Sequence, residues 1–120
     1  MKRFTSKNQQ IGKIGEDAAA SYLSNCGYNV VDRNVSGRYG EIDIVATKNG
    51  IYYFFEVKTG KQGSWLNPAE NVTKEKLRKV MLSVQYYALI HSIKQYEVRG
   101  ILVFINTQLA PVRIEEIELW

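Results

Sequence analysis

One stretch of the chain decides the fold: IDIVATKNGIYYFFEVK, residues 42–58. Its Asn49-Gly50 dipeptide favours a tight β-hairpin turn, because both central residues of such a turn need a positive φ angle. Counting outward from Lys48 opposite Ile51 places Asp43 directly opposite Glu56. Opposed carboxylates have Cβ atoms about 5 Å apart and destabilise a sheet, so a compensating positive charge is expected.

Side chains of the hairpin alternate between two faces of the sheet. One face is apolar and is predicted to be core: Ile42, Ile44, Ala46, Ile51, Tyr53, Phe55 and Val57. The other face is apolar near the turn and carries Glu41, Asp43, Glu56 and Lys58 at its far end. Mg²⁺ and Mn²⁺ prefer carboxylate oxygens, which predicts a divalent cation between Asp43 and Glu56. Lys58 would then orient a water or stabilise charge on a phosphate. The alternative is a set of exposed edge charges neutralised by Lys58.

The other segments supply a frame for the hairpin. Periodic apolar residues predict a first helix that starts near Ile11 and ends at Gly27, and a second helix that opens at Pro68. The remaining segments are a strand at 28–34, a loop at 35–40, a buried strand at 100–106 and an alternating strand at 112–119 with a bulge near 115–116. The order αβββαββ predicts an α/β fold with a mixed sheet flanked by helices.

Composition and charge narrow the function classes. A chain of 120 residues with 45% hydrophobic content suits one domain spanning 1–120, in which residues 1–10 are expected to be flexible. The net charge of +4 favours an anionic partner, most commonly nucleic acid. The single Cys26 excludes an internal disulfide and disfavours a cysteine-ligated zinc site. The lack of a long apolar run or signal peptide predicts a cytoplasmic protein without a membrane partner.

Basic residues crowd the first half of the second helix: Lys74, Lys76, Arg78 and Lys79. They could bind phosphates or form an ordinary solvated helix face, and both interpretations stay open. Arg38, in the loop before the acidic motif, and Lys61, in the loop after it, are further candidates for contact with nucleic acid.

The motifs of the chain, taken in order, resemble those of a nuclease superfamily. They are Gly15-Glu16 on a helix, Arg33-Asn34, Gly40-Glu41-Ile42-Asp43, Phe55-Glu56-Val57-Lys58, and Val72-Thr73 followed by Lys76. This ordered set resembles the PD-(D/E)xK superfamily and, more closely, the YraN-type family of small bacterial proteins, from residue 12 to about residue 120. That family is largely uncharacterised and is similar to archaeal Holliday-junction resolvases.

The resemblance implies a role for each motif residue. Asp43 and Glu56 would be the metal ligands, with the Val57 carbonyl as a third. Glu16 would be an outer ligand. Lys58 would position the attacking water.

Two departures from the superfamily pattern concern the surroundings of this site. Gly60 stands where the family usually has an arginine, and Lys61 is the candidate substitute for its phosphate contact. No proline precedes the first acidic ligand. The resemblance also implies that Lys76, on the second helix, contacts a phosphate near the site.

The resemblance therefore implies a restriction-endonuclease-like αβββαβ core and a Mg²⁺- or Mn²⁺-dependent deoxyribonuclease. Branched or distorted DNA is the implied substrate, and a homodimer is the implied assembly. The alternative is a non-catalytic nucleic-acid-binding module of a DNA repair, recombination or competence pathway. A third hypothesis is a scaffold protein that uses a metal only for stability.

Overall fold

The computed structural model describes residues 7–63 and 73–119. Its elements are α1 (Lys7–Asn25), β1 (Asn29–Gly37), β2 (Gly40–Lys48), β3 (Ile51–Lys61), α2 (Lys74–Ile90), β4 (Tyr96–Ile105) and β5 (Pro111–Ile117). The strands form one sheet in the order β1-β2-β3-β4-β5, in which β3 and β4 are parallel and the other neighbours are antiparallel. The predicted α/β class and element order are confirmed, and they are consistent with a restriction-endonuclease-like core. Helix α1 includes residues 7–10, and the flexibility expected for residues 1–10 stays a prediction.

The central hairpin has the predicted turn and register. Asn49 and Gly50 have φ angles of 53° and 80°, as the turn requires. Backbone pairing runs from Lys48↔Ile51 to Ile44↔Phe55. Within the described residues this pairing stops one pair short of the predicted opposition of Asp43 and Glu56. The two strands separate at the point where the acidic motifs begin.

Each face of the sheet has its own hydrophobic core. Against α1 lie Ile44 and Phe55, and against α2 lie Val45 and Phe54, all of them at most 1% exposed. Covering both faces explains why both arms of the hairpin are so apolar. It also fixes the sheet rigidly between two helices, so the end at which β2 and β3 separate is a defined position.

Ile42 was predicted on the face of Ile44, and this prediction is wrong. Ile42 packs with Val45 in the core against α2. The alternation of β2 breaks at Asp43, between the paired residues Ile42 and Ile44. On the neighbouring strand the corresponding residue is Asn34, whose φ angle is 51°. The irregular backbone at this point re-aims the side chains around Asp43.

Strand boundaries differ from the prediction at the sheet edges. Strand β1 continues to Gly37, so the predicted loop at 35–40 is wrong and only residues 38–39 connect β1 to β2. An edge strand tolerates the polar and glycine residues that suggested a loop, because part of its surface faces water. Strand β4 begins at Tyr96 rather than at residue 100. The irregularity in β5 lies opposite Phe104 and Ile105, not near 115–116 as predicted.

Helix α2 begins at Lys74. Its N-cap is Thr73, whose hydroxyl accepts a hydrogen bond from the Lys76 backbone N–H over 3.1 Å. The predicted start at Pro68 lies outside the described residues. The predicted apolar stripe is present, since Val80, Val84 and Ala88 are buried.

Candidate metal centre

Asp43 lies at the point where β2 and β3 separate, and it is a buried acid with an exposure of 8%. The Val57 backbone N–H donates a hydrogen bond to Asp43 Oδ2 over 2.7 Å. The carboxylate therefore occupies the gap between the diverging strands, where it satisfies an amide of β3.

Two glutamates bring their carboxylates to Asp43. One oxygen from each of Glu16, Glu41 and Asp43 lies within 4.8 Å of the others, a spacing that could hold a metal ion. Helix α1 supplies Glu16, and the start of β2 supplies Glu41. Asn34 donates a side-chain hydrogen bond to Glu16. Helix α1 and strand β2 thus supply the three acids, and strand β1 supplies the Asn34 side chain that hydrogen-bonds to Glu16.

Glu41 is the cluster member that the sequence prediction assigned no role. A signal for it was available, because the period-two alternation placed Glu41 on the same face as Asp43. Its exposed position at the start of β2 made it indistinguishable from an ordinary solvated charge. The proximity of Glu16 depends on how α1 packs on the sheet, which the sequence pattern does not determine.

Glu56 belongs to the same site but is not one of the three mutually close acids. It lines a cavity of about 290 Å³ together with Glu41, Asp43, Lys76 and Lys79. Its Oε1 atom lies 3.0 Å from Lys76 Nζ. The side chain of Glu56 is 15% exposed and that of Lys76 is 41% exposed, so this ion pair sits at the cavity mouth. Helix α2 therefore places the Lys76 ammonium beside Glu56, where the sequence predicted a metal ion.

Burial and like charges dominate the electrostatics. Burial is the largest cause that raises the pKa of Asp43 to about 8; the charges of Glu56, Glu16 and Glu41 contribute to this value, and the Val57 N–H opposes the shift. Burial also raises the pKa of Glu16, with Glu41 adding to the effect and Arg33 opposing it. In the metal-free protein these surroundings therefore favour the protonated form of Asp43. A bound cation would favour the ionised form instead.

Three of the other predicted site residues, Lys58, Lys61 and Lys74, do not line the acidic cavity. Lys58 lies on β3 two residues after Glu56 and pairs with Leu102 of β4. Among the described residues no ion pair joins Lys58 to Asp43 or Glu56. Lys61 ends β3, and Lys74 is the exposed first residue of α2.

Two of the remaining basic candidates have described contacts. The Arg38 guanidinium, in the turn between β1 and β2, lies 5.7 Å from the centroid of the Tyr39 ring. The Arg78 guanidinium pairs with Glu75 at 2.9 Å. Arg78 is therefore paired within its own helix, and of the basic residues on α2 only Lys76 and Lys79 line the acidic cavity.

Comparison with known proteins places the chain in a family. The model of the uncharacterised protein family UPF0102 matches residues 15–115, which include all the acidic residues described above. The chain belongs to the UPF0102 family. The YraN-type family is the same family, so the predicted membership is confirmed.

UPF0102 relatives cover most of the chain. A UPF0102 protein of Persephonella marina is 37% identical over 103 residues, covering 85% of this chain and 89% of the relative. A UPF0102 protein of Clostridium perfringens strain 13 is 36% identical over 115 residues, covering 96% and 92% of the two chains. A UPF0102 protein of Petrotoga mobilis is 41% identical over 86 residues, covering 72% and 76%. The names of these relatives state no activity.

Neither helix in the described parts of the chain is long and apolar enough to span a membrane.

Proposed function

We propose that the protein is a Mg²⁺- or Mn²⁺-dependent nuclease that hydrolyses phosphodiester bonds of DNA, with branched or distorted DNA as substrate. One observation carries this proposal: Asp43 is buried among three other carboxyl groups at the end of a hairpin. Such an arrangement destabilises the metal-free protein, because burial and repulsion both act against the ionised acids. A divalent cation would reverse both effects.

The donor set fits Mg²⁺ or Mn²⁺. All four acids offer hard oxygen ligands, and no cysteine or histidine is among them, which disfavours zinc. Asp43 would be the central ligand, Glu41 and Glu56 would approach from the cavity, and Glu16 would approach from α1. A Val57 carbonyl ligand is compatible with the hydrogen bond that already holds this part of β3 to Asp43. When bound, the metal would lower the pKa of a coordinated water and polarise a phosphate.

The ion pair between Lys76 and Glu56 supports a second part of the proposal. A cation bound by Glu56 would compete with the Lys76 ammonium for the same oxygen. Lys76 would then be released at the cavity mouth, where it and Lys79 would contact a phosphate. Lys58, two residues from Glu56 along β3, would position the attacking water.

The second candidate function is a nucleic-acid-binding module without catalysis. The same ion pair favours it, because Lys76 neutralises Glu56 without any metal. The two candidates differ in a simple way. A binder should hold DNA equally well with and without divalent cations, whereas a nuclease should need Mg²⁺ or Mn²⁺ to cut it.

The test is cleavage of end-labelled single-stranded, duplex, flap and four-way-junction DNA with Mg²⁺ or Mn²⁺. Wild type is compared with Asp43→Asn and Lys58→Ala, and Glu118→Gln serves as a matched control because Glu118 is an exposed acid outside the cluster. We expect wild type and the control to cut and the two site variants to lose cleavage. Equal cutting by all four proteins would reveal a contaminant and reject the proposal. Binding without cutting would favour the second candidate.

The predicted homodimer is tested alongside, by sedimentation velocity with and without a four-way junction. Two sites on one junction predict a complex of two protein chains with one DNA molecule. A complex with a single chain would reject the dimer without affecting the metal site.

A further inference from the structure

A second cavity lies beside the metal centre, between the β1–β2 turn and α2. Its volume is about 210 Å³, and its walls include Arg38, Tyr39, Ser83, Tyr86 and His91. Tyr39, Gly40 and Ser83 also line the acidic cavity, so the two cavities share a wall. A single molecule could therefore reach both of them.

Ser83 supplies the polar feature of this shared wall. The residue is 9% exposed, and its hydroxyl is buried without a hydrogen-bond partner among the described residues. Gly40 faces it: a side-chain Cβ at position 40 would lie 3.8 Å from Ser83 Oγ. A buried hydroxyl without a partner costs free energy. A ligand that offers a donor or an acceptor at this point would remove that cost.

Tyrosines supply aromatic surface to the cavity, beside the aliphatic side chains of Val35, Ile42 and Ile90. The Tyr39 and Tyr86 rings meet edge to face, with centroids 6.5 Å apart and an interplanar angle of 74°. Tyr86 is 51% exposed, so half of its side chain is accessible to a ligand. The base of the cavity is fixed in place, because the Tyr87 hydroxyl donates to Asp32 over 3.2 Å and its ring contacts His91 with centroids 4.1 Å apart. The cavity thus joins aromatic and aliphatic walls to polar groups that include Asp32, Arg38 and Ser83.

We infer that this cavity binds one unpaired nucleobase of the nucleotide whose phosphate lies at the metal centre. The inference rests on the proposed function and adds a substrate class to it, namely DNA with an unstacked base near the scissile bond. A nucleobase is flat, uncharged and carries hydrogen-bonding groups on its edge, so it fits a cavity that combines tyrosine rings with polar groups. The cavity is smaller than the roughly 300–1,000 Å³ of sites for drug-sized ligands, as expected for a single base. In a nucleotide, base and phosphate are joined by one sugar, which matches two cavities that share a wall.

The first measurement compares two duplexes that differ only at a one-nucleotide bulge. One duplex carries 2-aminopurine in the bulge, and the other carries an abasic residue. All proteins have the Asp43→Asn change, which under the proposed function blocks cleavage during the titration. Loss of a base stacked on an aromatic side chain weakens binding by about 5- to 150-fold. We expect the base-containing duplex to bind more tightly by a factor in this range, with a fall in 2-aminopurine fluorescence on stacking.

Three further variants identify the cavity. Tyr86→Ala and Ser83→Ala should reduce the preference for the base, and Leu89→Ala should leave it unchanged. Leu89 is a matched control because it lies on the same helix, is 78% exposed and is not part of the cavity wall. Tyr86 is largely exposed, so its removal is not expected to prevent folding.

The outcomes separate this inference from the proposed function. Equal affinity for both duplexes, or an unchanged preference in both cavity variants, overturns the base site. If wild type still cuts DNA in the cleavage assay, only the base site has failed. If neither duplex is bound and no DNA is cut, the base site and the proposed function fail together.

Discussion

Replacing Asp43 by asparagine should stabilise the metal-free protein at alkaline pH, although it removes a buried, hydrogen-bonded residue. Asparagine keeps an oxygen that can accept the Val57 N–H and removes the charge that Glu16, Glu41 and Glu56 oppose. The substitution therefore removes two free-energy costs, that of burying a carboxylate and that of its repulsion by the neighbouring carboxylates. The result distinguishes a strained acidic cluster from an ordinary buried aspartate, whose replacement would be destabilising.

The magnitude follows from the pKa of Asp43, which burial and the charges of the neighbouring glutamates together raise from 3.8 to about 8. Because the folded state holds this proton more tightly than the unfolded state, the free energy of unfolding falls as pH rises between these two values. Each pKa unit corresponds to about 1.36 kcal/mol, which sets an upper limit of about 6 kcal/mol. The neighbouring glutamates share protons with Asp43, so the loss in the intact cluster is smaller than this limit.

The assay is urea denaturation in EDTA between pH 4 and pH 9. Wild type and Asp43→Asn should have similar stability near pH 4, where Asp43 is protonated, and the variant should become more stable as pH approaches 9. We expect the difference to grow by more than about 1 kcal/mol over this range, given the size of the pKa shift. Parallel curves, or a variant that is less stable at pH 8, would refute the argument that Asp43 is held against its charge.

A bound metal ion should make the wild type more stable than Asp43→Asn, which reverses the order of stability expected in EDTA at alkaline pH. At a Mn²⁺ concentration 100 times the dissociation constant, binding adds about 2.7 kcal/mol to the wild type. For a domain of this size that corresponds to a rise in Tm of roughly 10 °C. Asp43→Asn should gain far less, and Glu118→Gln should behave like the wild type. An equal rise in all three proteins would place the metal elsewhere.

Two further predictions concern α1 and α2. Gly15→Ala should destabilise the protein by about 1–3 kcal/mol in urea denaturation, because the added Cβ would lie 2.7 Å from Thr59 Cβ and 2.8 Å from its Cγ2. The control is Gly12→Ala, which should be neutral or stabilising because an added Cβ there meets nothing within 4 Å. Equal effects of the two substitutions on stability would contradict the close packing of Gly15 on Thr59. A Lys76→Ala/Lys79→Ala variant should lower the slope of log affinity for DNA against log salt by about 2, since each lost phosphate contact removes about one unit. The control variant removes two exposed lysines elsewhere, Lys13 and Lys94. Equal slopes in the two double variants would exclude α2 as the phosphate contact.

The hairpin was predictable because its determinants are local. The turn needs two residues with positive φ, and Asn49-Gly50 supplies them, so the register follows by counting. The acids of β2 and β3 then fall at one end of the hairpin without any knowledge of the rest of the chain. The sequence pattern alone was therefore enough to bring Asp43 and Glu56 to one end of the hairpin, where both line the same cavity.

The details of the acidic cluster were not predictable because they depend on other elements. The alternation of β2 breaks beside Asn34, a residue of the neighbouring strand, and this moves Ile42 to the face covered by α2. The position of Glu16 depends on the docking of α1, and the pairing of Glu56 with Lys76 depends on the docking of α2. Counting residues along one strand does not give the distances between its side chains and those of the helices. An alternating pattern assigns faces only where the strand is regular, and the packing of the helices decides which side chains touch.

The close contact between Gly15 and Thr59 links the core to the chemistry of the site. Thr59 follows Glu56 on β3, and Gly15 precedes Glu16 on α1, so this contact sets how near α1 approaches the strand that carries the acids. Rotation of the Thr59 side chain about χ1 does not move its Cβ, so the close contact between this atom and a new methyl group would remain. A side chain at position 15 would therefore push α1 outward and withdraw Glu16 from Asp43. The missing Cβ of Gly15 thus serves the geometry of the carboxylates as well as the packing of the helix, which explains why a glycine stands beside a cluster member in the middle of a helix despite its low helix propensity.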